Sequence, residues 1–460
     1  MRSLLLLLAA FWCSTSAAQG LPAEVESALA RAKLPRDSVT FLVTDVDPAV
    51  PARLSHRAQV PVNPASIAKL ATTMAALELL GPAFTWTTPV YVDGRVEGGT
   101  LHGNLYLKGR GDPKLVLERM WLLMRRVRAM GIERIAGDIV LDQSAFEATA
   151  ADPAAFDGEP LRPYNAAPDA LLLNFKSVVL TFSPQPEGVA RLTVEPPLAG
   201  VQWPATLPLA AGACGDWRAG LKADFSDPTR PRLPGTYPTL CGERVWPLAF
   251  PDPRSYAARA VAGLWREVGG SLAGSVREGL VPIALVPLFE FASPTLAEVV
   301  RDINKFSNNV MAQQVFLTLS LQNRGTGSRE ASRELLRAWW RERFGPDVPT
   351  FDNGSGLSRE ERMTAAQLAR LLQYAWASPL MPELSASLPI AGTDGTLRRN
   401  WAQFGAHLKS GSLRDVQGVA GFVHGPNGRR YVVVAIANHP NAGGLRPAVE
   451  ALLAWMGRER

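Results

Sequence analysis

Residues 62–81 read VNPASIAKLATTMAALELLG, and the reading of this stretch decides the fold. The pattern predicts a helix over 64–81. Pro64 fits the first turn, where a missing N–H costs nothing. Ile67, Leu70, Met74 and Leu77 recur at spacings of three and four and mark one apolar face, and Gly81 is a natural stop. On such a helix Ser66 and Lys69 are i, i+3 neighbours and touch. Both lie in the first turn, where unpaired N–H groups and the helix dipole favour negative charge, so a serine alkoxide or an oxyanion is stabilised there. By itself S-x-x-K is a short motif that also arises by chance, and a partly exposed helix end with a solvated lysine is spelled the same way.

The chain around it has 460 residues, 47% hydrophobic and 20% charged, an ordinary globular composition whose length suggests about three domains. It opens MRSLLLLLAAFWCSTSAAQG: one Arg, an apolar run too short to span a bilayer, then small residues. This reads as a secretory leader over 1–18, cleaved after Ala18. Cys13 follows bulky Trp12 and makes a poor lipid-bearing cysteine. No later segment reaches the roughly 18 apolar residues of a membrane helix, so the mature protein is expected to be exported and to carry no transmembrane segment. In an oxidising compartment the two remaining cysteines, Cys214 and Cys241, have each other as intramolecular partner. The disulfide expected between them closes a loop of about 27 residues and is worth about 3 kcal/mol.

The net charge is +6, but basic and acidic residues alternate along the chain. LERMWLLMRRVRAMGIERI and SRELLRAWWRERF read as amphipathic helices with basic solvent faces. No basic tract is interleaved with aromatics, so a nucleic-acid partner is not expected. The five histidines form no metal-ligand spacing such as H-E-x-x-H, so neither a metal nor another cofactor is expected. A serine hydrolase usually takes its base from His; here another residue must supply it.

Lysine is that residue. Of the 48 basic residues only 8 are Lys. Arg keeps its proton in proteins, whereas Lys loses it readily when desolvated or placed beside another cation. Two further lysines stand in suggestive surroundings. Lys305 precedes FSNNVMAQQVFLTL, a helical pattern with Ser307 and Asn309 near its start. Lys409 lies in AHLKSGS, read as a short strand ahead of a hairpin formed by VAGFVHG and RRYVVVAIANH around the turn PNG. Gly411, small and within that strand, lets another backbone approach closely, as a peptide-binding edge requires.

Taken in order, Ser66-Ile67-Ala68-Lys69, Ser307-Asn308-Asn309 and Lys409-Ser410-Gly411 resemble the signature of penicillin-binding proteins and serine β-lactamases. The 241 residues from Ser66 to Ser307 imply a large insertion. NPASIAKLATT, GNLYLKGRGDPKL, RPYNAAPDALLLNF, DNGSGLSR and AGTDGTLRR narrow the resemblance to the class C low-molecular-mass penicillin-binding proteins, the D-alanyl-D-alanine carboxypeptidase/endopeptidase family of DacB type. The third motif has Ser410 where Thr is common, and Asn353 is one residue more than the expected D-G-S-G-L-S.

The resemblance implies an α+β fold, a penicillin-recognising domain with an antiparallel sheet flanked by helices, interrupted by two smaller domains rich in β structure. The expected division is a discontinuous catalytic domain over 19–85 and 290–460, with an insertion over 86–289. It also implies roles: Ser66 as nucleophile, Lys69 as its base, Ser307 as proton relay, and Asn309, Lys409, Ser410, Gly411 and Ser412 as substrate-binding residues. The partners implied are peptidoglycan peptides and β-lactam antibiotics, with the protein periplasmic and loosely associated with wall or membrane, and its oligomeric state open. Asp352, Ser355 and Asp394 read as scaffold at the edge of the site, since DNGSGLSR is followed by Thr364-x-x-Gln367, a capping box. A β-lactamase or D-aminopeptidase on the same scaffold, and a non-catalytic wall-binding protein, are the other readings of these motifs.

Overall fold

The computed structural model describes residues 20–148, 152–399, 401, 404–425 and 428–458. The leader expected over 1–18, and Pro426 and Asn427 of the PNG turn, lie outside the described residues.

Chain segments nearly 400 residues apart make the central sheet. Strands β1 (Val39–Asp45) and β2 (Leu54–His56) join β3 (Ala406–Leu413), β4 (Val416–His424) and β5 (Arg430–Asn438) in the order β3-β4-β5-β1-β2, every pair antiparallel. Val39 lies opposite Ala437 and Asp45 opposite Tyr431. Side chains alternate across a strand, and here both faces are covered, so β5 reads as the continuous apolar run YVVVAIA. One face, with Phe41, Val43, Val433 and Ala435, packs against helices α1 (Ala23–Arg31) and α7 (Arg446–Arg458). The opposite face, with Leu42, Val432, Val434 and Ile436, packs against a second group of helices. These are α2 (Lys69–Leu80), α3 (Leu296–Phe306), α4 (Asn309–Arg324), α5 (Arg329–Phe344) and α6 (Ala365–Ala377). The fold is α+β, with this antiparallel sheet flanked by helices.

The helix expected over 64–81 divides in two. Ala65–Ala68 form a 3-10 turn and the α-helix proper starts at Lys69, ending at Gly81 with φ +84°. Nor does α2 have one apolar face, because Lys69 to Leu77 are all buried. A helix enclosed by sheet and helices has no solvent side to keep polar, which is why Ala, Thr and Leu fill it. The TAAQ capping box is present: Thr364 Oγ1 accepts from Gln367 N at 3.0 Å, and Gln367 Oε1 from Thr364 N at 2.9 Å.

Between α2 and α3 the chain builds three more sheets. A five-stranded sheet starts with Thr85–Val92 and ends with Phe289–Thr295, which pair antiparallel with Thr85 opposite Thr295. The segment thus leaves and re-enters beside itself, so that its two ends lie next to each other. Leu105–Lys108 pairs antiparallel with Thr85–Val92, and Ile139–Asp142 and then Val276–Glu278 extend the sheet from it in parallel. A four-stranded sheet and a second five-stranded sheet spanning Ser177–Ala249 complete it. The helix expected near 115–130 is Leu117–Ala129. A second one, Pro253–Glu267, buries Tyr256, Ala257, Ala260, Val261, Leu264 and Trp265 along one side. Cys214 and Cys241 form a disulfide with Cα atoms 4.6 Å apart.

Candidate active site

Ser66 projects from a strained turn. Ala65 adopts φ +47°, a left-handed conformation that costs a residue with a Cβ about 1–2 kcal/mol. Asn63 holds it there: its Oδ1 accepts from Ala65 N at 2.8 Å, its Nδ2 donates to Ser358 O at 2.9 Å, and its own N–H donates to Asn438 Oδ1 at 2.8 Å. Two glycines let the neighbouring chains close in. A Cβ on Gly356 would meet Ala65 O at 2.0 Å, and one on Gly411 would meet Pro64 O at 2.7 Å. Gly411 therefore has a different reason from the one expected. What approaches the β3 backbone there is the turn carrying Ser66.

Lys69 is fully buried. Its Nζ lies 2.9 Å from Ser66 Oγ and 2.7 Å from Asn309 Oδ1, and it also donates to the Ser355 carbonyl. Two of these partners are carbonyl oxygens that can only accept. A neutral amine has two N–H groups and one lone pair; with both hydrogens given to Asn309 and Ser355, the lone pair faces the Ser66 hydroxyl. Burial pushes the Lys69 pKa down to about 7, opposed by the negative charge of Glu361. Desolvation of the amine is thus the largest cause of its lowered basicity.

Ser307 and Lys409 form a second pair. Ser307 is not the first residue of its helix; it closes α3 in a left-handed conformation, φ +56°. Asn308 is the cap of α4, its Oδ1 accepting from Met311 N at 3.0 Å. This pivot between two helices sets Asn309 against Lys69 and Ser307 against Lys409, whose Nζ donates to Ser307 Oγ at 2.9 Å and to Ser410 O at 2.7 Å. Lys409 is fully buried, and burial together with the Lys69 charge pushes its pKa well below the lysine range. Ser410 Oγ shares a 2.6 Å hydrogen bond with Thr396 Oγ1. Ser412 is exposed and lines, with Ser66, Tyr164, Asn309, Leu357 and Arg359, an open cleft of about 680 Å³.

The segment read as scaffold does more than expected. Asn353 Oδ1 accepts from Ser355 N and Oγ at 3.0 and 2.7 Å, and its Nδ2 donates to Leu357 O at 2.9 Å. The additional residue therefore knots the loop from inside. Thr72 Oγ1 donates to Gly354 O at 2.8 Å, so the loop lies along α2 with the Ser355 carbonyl on Lys69. Asp394 remains at the edge, paired with Lys305 at 2.5 Å. Glu361, fully buried just beyond the loop, carried no sequence signal. Among the described residues no group of three or more His, Cys, Asp or Glu is placed to hold a metal, and no helix is long and apolar enough to cross a membrane.

Known proteins resemble this chain in sequence and in fold. The curated D-alanyl-D-alanine carboxypeptidase of Actinomadura sp. (strain R39) is 28% identical over 420 residues, 85% of this chain and 76% of that protein. D-alanyl-D-alanine carboxypeptidase DacB of Haemophilus influenzae is 25% identical over 403 residues, 83% of this chain and 81% of that one. The crystal structure of penicillin binding protein 4 (dacB) from Haemophilus influenzae matches with a TM-score of 0.74 at 20% identity, over 93% of this chain and 99% of that chain. A family model described as the D-Ala-D-Ala carboxypeptidase 3 (S13) family matches residues 21–456. That span takes in the Ser66 turn, the insertion and both later motifs, and the chain belongs to this family of serine carboxypeptidases.

Proposed function

We propose that the protein removes the terminal D-alanine from peptidoglycan stem peptides, and cleaves the corresponding crosslinks, through an acyl-enzyme on Ser66. The observation that carries this reading is the buried Lys69, whose Nζ lies 2.9 Å from Ser66 Oγ with its other two contacts on carbonyl oxygens. In the first half-reaction Lys69 takes the Ser66 proton and Oγ bonds to the carbonyl carbon of the penultimate D-alanine. The oxyanion is held by the N–H groups of Ser66 and Ser412; one such donor is worth about 3–4 kcal/mol. As the C–N bond breaks, the proton held on Lys69 passes to the departing amine with Ser307 as relay. Because Ser307 Oγ already accepts from Lys409, its own hydrogen is free to be given. Asn309 orients the substrate amide and Lys69, while Lys409, Ser410 and Ser412 receive the terminal carboxylate. Water then attacks the ester, giving up its proton to Lys69, which returns it to Ser66 Oγ as the C–Oγ bond breaks and the shortened peptide is freed. β-Lactams acylate the same oxygen and leave slowly.

In this reading residues 19–85 and 290–460 form the catalytic domain and 86–289 two inserted subdomains. The 1–18 leader directs the protein across the membrane to the periplasm. A crosslinked stem differs from a free one only beyond the scissile bond, so one site serves both reactions.

The test is release of D-alanine from a D-Ala-D-Ala peptide, and of monomers from a crosslinked muropeptide dimer, followed against pH. The base form of a lysine with its pKa near 7 is populated above that value. Rates are expected to rise about tenfold per pH unit below the midpoint and level off above it. A rate flat from pH 5 to 9 contradicts the assignment of Lys69.

A further inference from the structure

Resting on that reading, we propose that Glu361 is a positioning residue that acts through Lys69 and sets the pH at which Ser66 becomes nucleophilic. The side chain touches neither Ser66 nor the cleft, and the mechanism above makes no use of it. Yet it is a carboxyl 1% exposed. Its Oε1 accepts a 3.3 Å bond from Asp352 N, and its Oε2 has no hydrogen-bond partner among the described residues. An unpaired oxygen on a buried carboxylate is costly. The carboxyl sits under the start of the loop whose Ser355 carbonyl grips Lys69. An antiparallel bridge between Thr350 and Arg362 fixes it there, with both N–H···O bonds made at 3.0 and 3.2 Å.

The charged groups around this pair are few. Lys69 is faced by Glu361 and, from β3, by Lys409. Glu361 is faced by Lys69 and Asp352, and Asp352 in turn by Arg333 at 3.7 Å. Burial pushes the Glu361 pKa up to about 7, with the Asp352 charge adding to the rise and Lys69 opposing it. Each buried group thus favours the charged form of the other, Glu361 holding the proton on Lys69 and Lys69 favouring the ionised carboxyl. With the proton on Lys69, the pair is an ion pair and Ser66 has no base. With the proton on Glu361, the orphaned oxygen is neutral and the Lys69 lone pair is free.

The test is the rate of acylation of the full-length protein by benzylpenicillin as a function of pH. Glu361→Gln keeps the acceptor for Asp352 N but cannot ionise, so nothing holds the proton on Lys69. The midpoint of the acid limb should fall by about one unit, making acylation about tenfold faster than the unsubstituted protein well below that midpoint. Glu361→Asp keeps the charge and should return the midpoint towards its original place. Asp352→Asn, at a partly exposed side chain, lets Glu361 ionise earlier and should move the midpoint the other way, upwards. Midpoints unmoved by both Glu361→Gln and Asp352→Asn overturn the proposal. If Glu361→Gln does not fold, an unmoved or lowered midpoint in Asp352→Asn overturns it alone. Absence of acylation at every pH in the unsubstituted protein defeats the proposed function itself, and this inference with it.

Discussion

Lys69→Met is expected to slow acylation of Ser66 by about 10²–10⁴-fold, the range a positioned general base supplies. Methionine matches the length and volume of the lysine and fits a fully buried position. It leaves Asn309 Oδ1 and Ser355 O without their donor, at a cost of about 1–3 kcal/mol each. Removing a buried amine offsets part of that loss. The variant should therefore fold, with a melting temperature within several degrees of the parent, while its acylation by benzylpenicillin becomes nearly undetectable. Lys69→Arg should be as inactive, because arginine cannot give up its proton. Acylation by Lys69→Met within tenfold of the parent would mean that another group activates Ser66.

Gly356→Ala should be nearly as damaging although residue 356 carries no functional group. Its φ is +77°, and the added Cβ would stand 2.0 Å from Ala65 O and 2.8 Å from Ser66 N. Backbone cannot yield as a side-chain tip does, so either loop 352–359 or the Ser66 turn must move. Left-handed strain and overpacking together predict a loss of about 2–4 kcal/mol in stability. A displacement near 1 Å at the nucleophile predicts a loss of about 10²-fold in acylation rate. Thermal denaturation and the acylation rate check both parts. A variant that is destabilised but acylates at the parental rate would show that the loop, and not the nucleophile turn, absorbs the change.

Much of this site was legible because helices and strands repeat side chains at fixed intervals. The i, i+3 relation of Ser66 and Lys69, the strand around Lys409 and the helix after Ser307 all follow from local periodicity and turn residues. The order of the three motifs then linked them. What stayed hidden depends on contacts made at long range. Whether α2 would have one apolar face or be enclosed depends on elements more than 200 residues away. The left-handed backbone of Ala65 is imposed by Asn63, Asn438 and Ser358; alanine in a sequence gives no sign of it. Gly411 was read correctly as a place of close approach, but a glycine does not say what approaches. The loop around Ser355 reaches Lys69 through a main-chain carbonyl, which every residue type possesses. Glu361 follows Arg359 and Glu360 in a run that resembles a solvated charged stretch, and only the fold turns it inward.

The most direct test of the account is the intact mass of the mature protein after incubation with benzylpenicillin, followed over time beside Ser66→Ala. Opening the β-lactam ring expels no fragment, so the account predicts one adduct per chain with the mass of the whole drug. That adduct should persist for many minutes and be absent from Ser66→Ala. An adduct that vanishes quickly while the drug is consumed would make the protein a β-lactamase. No adduct on the parent, or the same adduct on Ser66→Ala, would contradict the assignment of Ser66 as nucleophile.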